Sequence, residues 1–475
     1  MIWKTAWRNV WRNKTRSLVV IISVTIGIFA GIFSVAVMNG AIDQRVYEAL
    51  NNEIAHFQLN HKDFRSNNDV KFTIDNVDDV IAKINNTEGV VSACKRTLIT
   101  GMANTATKST GVQILGVDPS DEKEVLSLYK ELLPETGNYF ENYRRPNVAY
   151  IGESLAKELN IIRYTINQKV IDSLKMKEVP GEVVSKLEPY MGKRFKSEKL
   201  FRKELKSVFT KSEAVKYGRL ISNEAKTFRK GAKITLTFQD IDNNQTGGMF
   251  RIGGLYDINN NMFEQSQVFV LNSELQSLTG VSGDVCHQVV VKINDIENTK
   301  LVHEKLKASF PELEVLSWKE IQPDLAMMSE MMTQVYGVLM VIILAALAFG
   351  IVNTMLMVVL ERTKELGMLT AIGMNRKRVF KMIMLESVFL SLIGGVIGMV
   401  ISKLLISLTS ASGINLAGYE EGFEAMGFSA LIYPVIGNAF FIVVAFLIVI
   451  TGILSSIYPA LKALKLNPAD AIRTE

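Results

Sequence analysis

The chain has 475 residues, a mean hydropathy of +0.18 and 48% hydrophobic residues, which is too apolar for an ordinary water-soluble protein. Its 53 basic and 48 acidic residues exclude a chain made only of helices in lipid, so a few membrane spans plus one large water-exposed domain are expected. Two cysteines 192 residues apart (Cys94 and Cys286) exclude a disulfide scaffold, and four histidines without HExxH-type spacing point to no metal site.

Residues 1–16 carry Trp3, Trp7 and Trp11 at four-residue spacing, which sets three indoles on one helical face beside Arg8 and Arg12. This predicts an amphipathic helix at the lipid headgroup boundary, on the cytoplasmic side. A plain extension of the first span is the other reading. Leu18–Met38 is a charge-free apolar run, and residues 17–38 are read as the first span. The run ends in Val-Met-Asn-Gly-Ala, a poor cleavage site, so a retained anchor is expected rather than a signal peptide.

Residues 39–335 are expected to form a large α+β domain between the first and second spans. Three- and four-residue spacing predicts a helix over Val77–Ile84, another over Glu153–Leu159, and a third over Asn298–Ala308 with Asn298 as N-cap. Strands are expected at Val90–Ala93, Gly111–Val117, Lys233–Phe238, Met249–Leu255, Ser266–Leu271 and Val285–Ile293. Residues 161–230 stand apart, with 18 basic and 8 acidic residues, so the remainder of the chain is net negative. Helical patterning is expected there over Val170–Met176, Val183–Tyr190 and Leu200–Phe209. Such a basic helical insertion is either a solvated face or a surface for anionic lipid, polymer or protein. Cys94 and Cys286 are expected to be buried free thiols, although an oxidising compartment would allow them to pair.

Three further spans are read at 336–360, 383–408 and 435–458; the middle one contains Glu386 and Lys403. Lys4, Arg8, Arg12, Lys14 and Arg16 precede the first span, and Arg362, Lys364, Arg376, Lys377, Arg378 and Lys381 lie between the second and third. Lys462, Lys465 and Arg473 follow the fourth, whereas the loop between the third and fourth holds Glu420, Glu421 and Glu424. The positive-inside rule then puts both termini and the 361–381 loop in the cytoplasm and residues 39–335 outside it. No GxxxxGK[ST] phosphate loop and no GxSxG elbow occur, so no catalytic residue is assigned and the chain is not expected to hydrolyse ATP by itself.

Asn353-Thr354-Met355-Leu356 leads into Glu361-Arg362-Thr363-Lys364-Glu365-Leu366-Gly367-Met368-Leu369-Thr370-Ala371-Ile372-Gly373, then basic Arg376-Lys377-Arg378 and Glu386-Ser387. The C-terminal Tyr458-Pro459-Ala460-Leu461-Lys462-Ala463 precedes Leu466-Asn467-Pro468-Ala469-Asp470-Ala471-Ile472-Arg473. Together these resemble FtsX-type permeases of ABC transporters, the group that contains MacB, LolC/LolE and FtsX. Gly116-Val117-Asp118-Pro119 and Ile151-Gly152-Glu153-Ser154-Leu155-Ala156 are similar to motifs of that group's extracytoplasmic core. Trp318 with Pro323-Asp324-Leu325 resembles its lipoprotein-releasing members. Residues 161–230 depart from the pattern.

The resemblance implies a permease domain over 336–475 and a cytoplasmic coupling helix over 361–373. Glu361, Arg362, Glu365, Leu366, Gly367, Leu369, Ala371 and Gly373 would there engage a soluble ATPase. It implies extraction of lipoproteins from the bacterial inner membrane, with a LolD-like ATPase dimer, a second permease copy and a periplasmic lipoprotein carrier as partners. ATP and Mg would sit on the ATPase, with no cofactor in this chain and no nucleic-acid partner. The alternative is a MacB-like efflux or FtsX-like signalling permease. Methionines crowd the start of the second span. Phe33, Met38, Met328, Met331, Met332 and Val335 are the candidate substrate cavity, at a place where adaptable methionines could pack around acyl chains or simply face lipid.

Overall fold

A computed structural model describes residues 2–133, 136–140, 147–177, 179–228, 231–372 and 374–464. Gly373 and the motif residues 466–473, with Lys465, lie outside the described residues. The chain divides into two compact units, one of residues 1–45, 327–420 and 429–475, the other of 46–326 and 421–428.

Four helices among the described residues are long and apolar enough to cross a membrane: Lys14–Glu48, which continues as a π-turn to Glu53, Pro323–Glu361, Arg376–Ser412 and Asn438–Leu464. The first three contain the apolar runs read from the sequence, and the fourth begins three residues inside the expected 435–458 run. The first two run well past them. At about 1.5 Å per residue, a 39-residue helix is about 58 Å long, nearly twice a hydrocarbon core of about 30 Å. Met327–Val335 therefore belongs to the same helix as the second span. The N-terminal helix is shorter than the sixteen residues expected, Ile2–Val10, and a break at residues 11–13 separates it from the first span.

Small residues bring the bundle together. On Arg376–Ser412, a Cβ at Gly394 would lie 2.8 Å from the Ile21 carbonyl oxygen, and one at Gly398 2.8 Å from that of Thr25. Gly395 faces the other way, and a Cβ there would lie 2.6 Å from Ile448.

The second unit is built on nine strands. They are β1 Phe57–His61, β2 Val90–Asn104, β3 Ser109–Val117, β4 Val148–Gly152, β5 Lys233–Gln239, β6 Gln245–Tyr256, β7 Gln267–Leu271, β8 Gln288–Ile293 and β9 Leu313–Ser317. Their order is β9-β1-β8-β2-β3-β7-β4-β6-β5, and β5 returns to pair with the outer half of β2. Six strands thus close on themselves while β8, β1 and β9 form an open wing. β7 with β3 and β6 with β4 are parallel; the other pairs are antiparallel. Alternation sends Ile99, Ile114, Ile151, Val268 and Val270 to one core cluster and Leu115, Val117, Tyr150 and Phe269 to another. On the wing, Phe57, Leu59, Val289 and Val291 pack with Val77 and Ile84 of one helix and Val302 and Leu306 of a second.

Four local expectations need correction or qualification. Val285–Ile293 is two strands rather than one, broken at His287, whose ring nitrogen bonds the Val70 carbonyl at 3.0 Å. Asn298 takes the N-cap position of the helix Thr299–Ser309 as expected, but its side chain makes no capping bond. Val183–Tyr190 is a short helix, Gly181–Ser185, followed by a 3₁₀ turn at Glu188–Tyr190, because Pro189 cannot continue an α-helix. Residues 161–230 do not stand apart. Their helices and a three-stranded sheet bury Tyr164, Leu174, Phe201 and Leu205 in the same cluster that holds Ile114 and Val268 of the main sheet. Cys94 and Cys286 are buried free thiols.

Candidate functional site

The N-terminal helix Ile2–Val10 lies on Arg376–Ser412. Ala6 and Val10 are buried, and Trp3 and Trp7 set their rings edge-on to Phe389 at 5.5 and 5.6 Å between centroids. Trp3, Trp7 and Trp11 keep 66%, 45% and 39% of their surface exposed, as indoles at a lipid headgroup boundary would.

The chain then turns, and two of its arginines reach the short helix Thr363–Ala371 that follows the second span. Arg12 Nη1 donates to Glu365 Oε2 at 2.8 Å while Nη2 donates to Oε1, and Arg16 grips both oxygens of Glu361 in the same two-pronged way. Arg362 points inward. Its Nε donates to Glu365 at 3.1 Å and its Nη1 to both oxygens of Glu386, each at 3.3 Å. Asn9 Nδ2 also donates to Glu386, at 2.6 Å. Three guanidinium groups and three carboxylates thereby line a cleft of about 310 Å3, with Met355, Val358 and Leu390 as its apolar wall. The bond from Arg12, then Arg362, holds the Glu365 carboxyl below the usual carboxylate range.

This places Glu361, Arg362 and Glu365 together, but each is engaged by the chain's own residues. Leu366 and Gly367 are buried and Leu369 is half-buried, so Leu366 fills the bundle rather than projecting from it. Met368 and Ile372 are the apolar side chains that face out, at 54% and 78% exposure. Ala371 ends the helix, and Gly373 is outside the described residues.

The candidate cavity residues divide. Phe33 stacks on Phe29 at 5.7 Å and, like Met38 and Met332, is half-buried. Met328, Met331 and Val335 are exposed along one side of Pro323–Glu361. The first two spans pack closely, since a Cβ at Gly27 would lie 2.8 Å from Leu347 and one at Gly31 3.0 Å from Ile343. The methionine stripe therefore faces outward.

Sequence reasoning missed Asn9; it took Arg16 as an orienting charge and Arg12 as that and as a headgroup-facing cation, not as partners of Glu361 and Glu365. A signal was present: an acid near the start of an apolar span, such as Glu386, calls for a partner.

Residues 337–468 match the FtsX-like permease C-terminal family, and residues 17–196 match the MacB-like periplasmic core domain family. The chain is thus similar to FtsX/MacB-type ABC transporter permeases in both its C-terminal membrane part and its extracytoplasmic domain. It is a multi-pass membrane protein whose α+β periplasmic domain lies between the first and second spans. The second match runs into 161–196, so the first half of the supposed departure belongs to the family pattern. Among curated relatives, the permease is 28% identical to the macrolide export ATP-binding/permease protein MacB of Chlorobium luteolum, over 42% of this chain and 27% of that protein. It is also 28% identical to the uncharacterized ABC transporter permease YknZ of Bacillus subtilis, over 45% of this chain and 51% of that one. The permease thus spans about a quarter to a half of the length of these relatives. The crystal structure of the periplasmic region of MacB from Actinobacillus actinomycetemcomitans is 12% identical and covers 57% of this chain and 91% of that one, with a TM-score of 0.29.

Proposed function

We propose that this permease is the membrane subunit of an ATP-driven machine that extracts lipid-anchored proteins from the outer leaflet of a bacterial inner membrane. In this reading both termini and the 361–372 segment are cytoplasmic. A dimer of separate ATPase subunits, carrying ATP and Mg, works on two permease copies. The observation that carries the reading is the ion-pair cleft. Glu361 and Glu365 are tied to the start of the first span, and Arg362 to Glu386 on the third. A push on the exposed Met368–Ile372 face would then move two spans together instead of being absorbed by a loop. The exposed stripe of Met328, Met331 and Val335 supports an acyl-chain cargo, because unbranched, polarizable methionine adapts to chains of varied shape.

The competing reading is MacB-like efflux or FtsX-like signalling, favoured by the family match of residues 17–196. A photo-crosslinker at Met328 or Met331 separates the two in cells. Adducts with lipid-modified proteins that fall in yield as ATP turns over are expected. Adducts only with the second permease copy, under every nucleotide condition, would reject lipoprotein extraction and leave the signalling or efflux permease.

A further inference from the structure

A polar cavity of about 240 Å3 opens in the extracytoplasmic unit, far in sequence from the coupling helix. Strand alternation creates it. Phe57 and Leu59 of β1 turn to the apolar side of the wing, so Gln58 and Asn60 turn to the other. Register extends the polar row: Asn60 stands opposite Gln288 of β8, Gln288 opposite Arg96 of β2, and Gln113 of β3 opposite Gln267 of β7. Five amide side chains from four strands line one cavity.

Bonds within the row hold these groups in place. Gln288 Nε2 donates to Gln58 Oε1 at 2.9 Å, and Gln267 Nε2 to Gln113 Oε1 at 3.0 Å. The charged groups that line the cavity are also engaged. Arg96 pairs with buried Glu122, Arg65 lies 3.8 Å from Glu314, and Glu53 accepts from Asn260 at 3.0 Å and Gln322 at 3.3 Å. Two acceptors remain. Asn60 Oδ1 and Gln267 Oε1 are buried without a hydrogen-bond partner among the described residues, and Asn60 is only 1% exposed. Buried amide oxygens ordinarily find a donor, so donors supplied from outside the chain are called for. The walls between the amides are apolar, with Phe64, Leu98, Leu115 and Phe263.

We propose that this cavity binds a neutral, polyhydroxylated small molecule of about monosaccharide size. Hydroxyl groups donate and accept at once, as amides do, and the C–H faces of such a molecule suit Phe64 and Phe263. Arg96 is paired with Glu122 and Glu53 is held by two amides, so neutral amides form most of the polar lining, which favours a neutral ligand. The site does not depend on the transport reading, because its residues belong to the extracytoplasmic unit alone.

Saturation-transfer NMR on the full chain in lipid nanodiscs, without nucleotide, tests the site with glucose, galactose and N-acetylglucosamine as probes. Transfer to at least one sugar is expected, with affinity falling tenfold or more in Asn60→Leu and in Gln267→Leu. Gln267 is only half-buried, so its variant decides the matter if Asn60→Leu fails to fold. No transfer to any of the three sugars, or transfer unchanged in Gln267→Leu with an unchanged unfolding midpoint, would overturn the proposal and leave a water-filled cavity.

Discussion

Glu386 is 4% exposed between Asn9 and Arg362, while Glu361 and Glu365 pair with arginines at the surface, and the two kinds of ion pair should respond differently to mutation. Exposed ion pairs are screened by solvent and add little to stability, so Arg16→Ala should barely move the unfolding midpoint in detergent. Glu386→Ala leaves Arg362 only its bond to Glu365 and takes the acceptor from Asn9, and should cost about 1–3 kcal/mol in the same measurement. The surface pairs matter for coupling instead. Glu361→Arg should lower transport-linked ATPase activity, and adding Arg16→Glu should recover most of the loss by restoring the pair with its charges exchanged. Failure of that rescue would mean that Glu361 acts directly on the ATPase. A second residue effect lies outside the membrane. Glu264 accepts from Ile258 N at 2.8 Å and Ser154 N at 3.0 Å, and burial first, then neighbouring Asp257, pushes its carboxyl up to about 8. The folded state therefore holds a proton that the unfolded chain has released above about 4.5. Stability should fall as pH rises from about 5 to 8. Glu264→Gln should flatten that slope in thermal unfolding of the extracytoplasmic transition.

Among the elements, Arg376–Ser412 packs closely on the first span, since Gly394 and Gly398, one turn apart, admit its backbone, and Thr25 Oγ1 donates to the Gly394 carbonyl at 3.0 Å. Gly398→Leu has no space to enter and should destabilise the bundle by about 1–3 kcal/mol or more. The neighbouring exposed Ile397→Leu should be silent in the same detergent unfolding measurement. The proposed coupling helix Thr363–Ala371 follows a different logic. Its inward face is Leu366 and Gly367, and its outward face is Met368, with Ile372 just beyond its end. Met368→Glu with Ile372→Glu should then weaken co-purification of an ATPase while leaving the permease folded.

For the whole molecule, the shared cluster of residues 161–230 and the main sheet means that the basic segment is part of the domain's fold. Replacing 162–228 with a short linker would strip cover from Leu155, Ala156 and Leu159 and should lower the unfolding midpoint of the extracytoplasmic domain by several degrees. Its charge is partly used at home: Lys177, Lys186 and Lys193 pair with Glu224, Glu213 and Glu204, and Lys226 reaches Glu153 outside the segment. Orientation is a property of the whole chain as well. Membrane-impermeant thiol labelling in intact cells should reach single cysteines placed in 161–228 and never those in 361–372. The opposite pattern would invert the proposed topology.

The short helix after the second span was implied by the family resemblance; the sequence by itself determined the number and place of the long apolar helices and most strands of the extracytoplasmic sheet. These follow from local periodicity and from uninterrupted runs of apolar residues, which need no knowledge of neighbours. The tertiary structure alone decided what Glu361, Glu365 and Glu386 touch, because Arg16 and Glu361 are 345 positions apart and Asn9 and Glu386 are 377 apart. It also decided which way Leu366 turns. An amphipathic stretch of nine residues does not say which face its own bundle will take and which it will leave to a partner. Closure of the sheet through β5 and β2, the burial of the basic segment and the row of amides depend likewise on strand register between distant segments. Periodicity assigns each strand two faces; only the packed fold chooses which of them is covered by apolar helices and which surrounds a polar cavity.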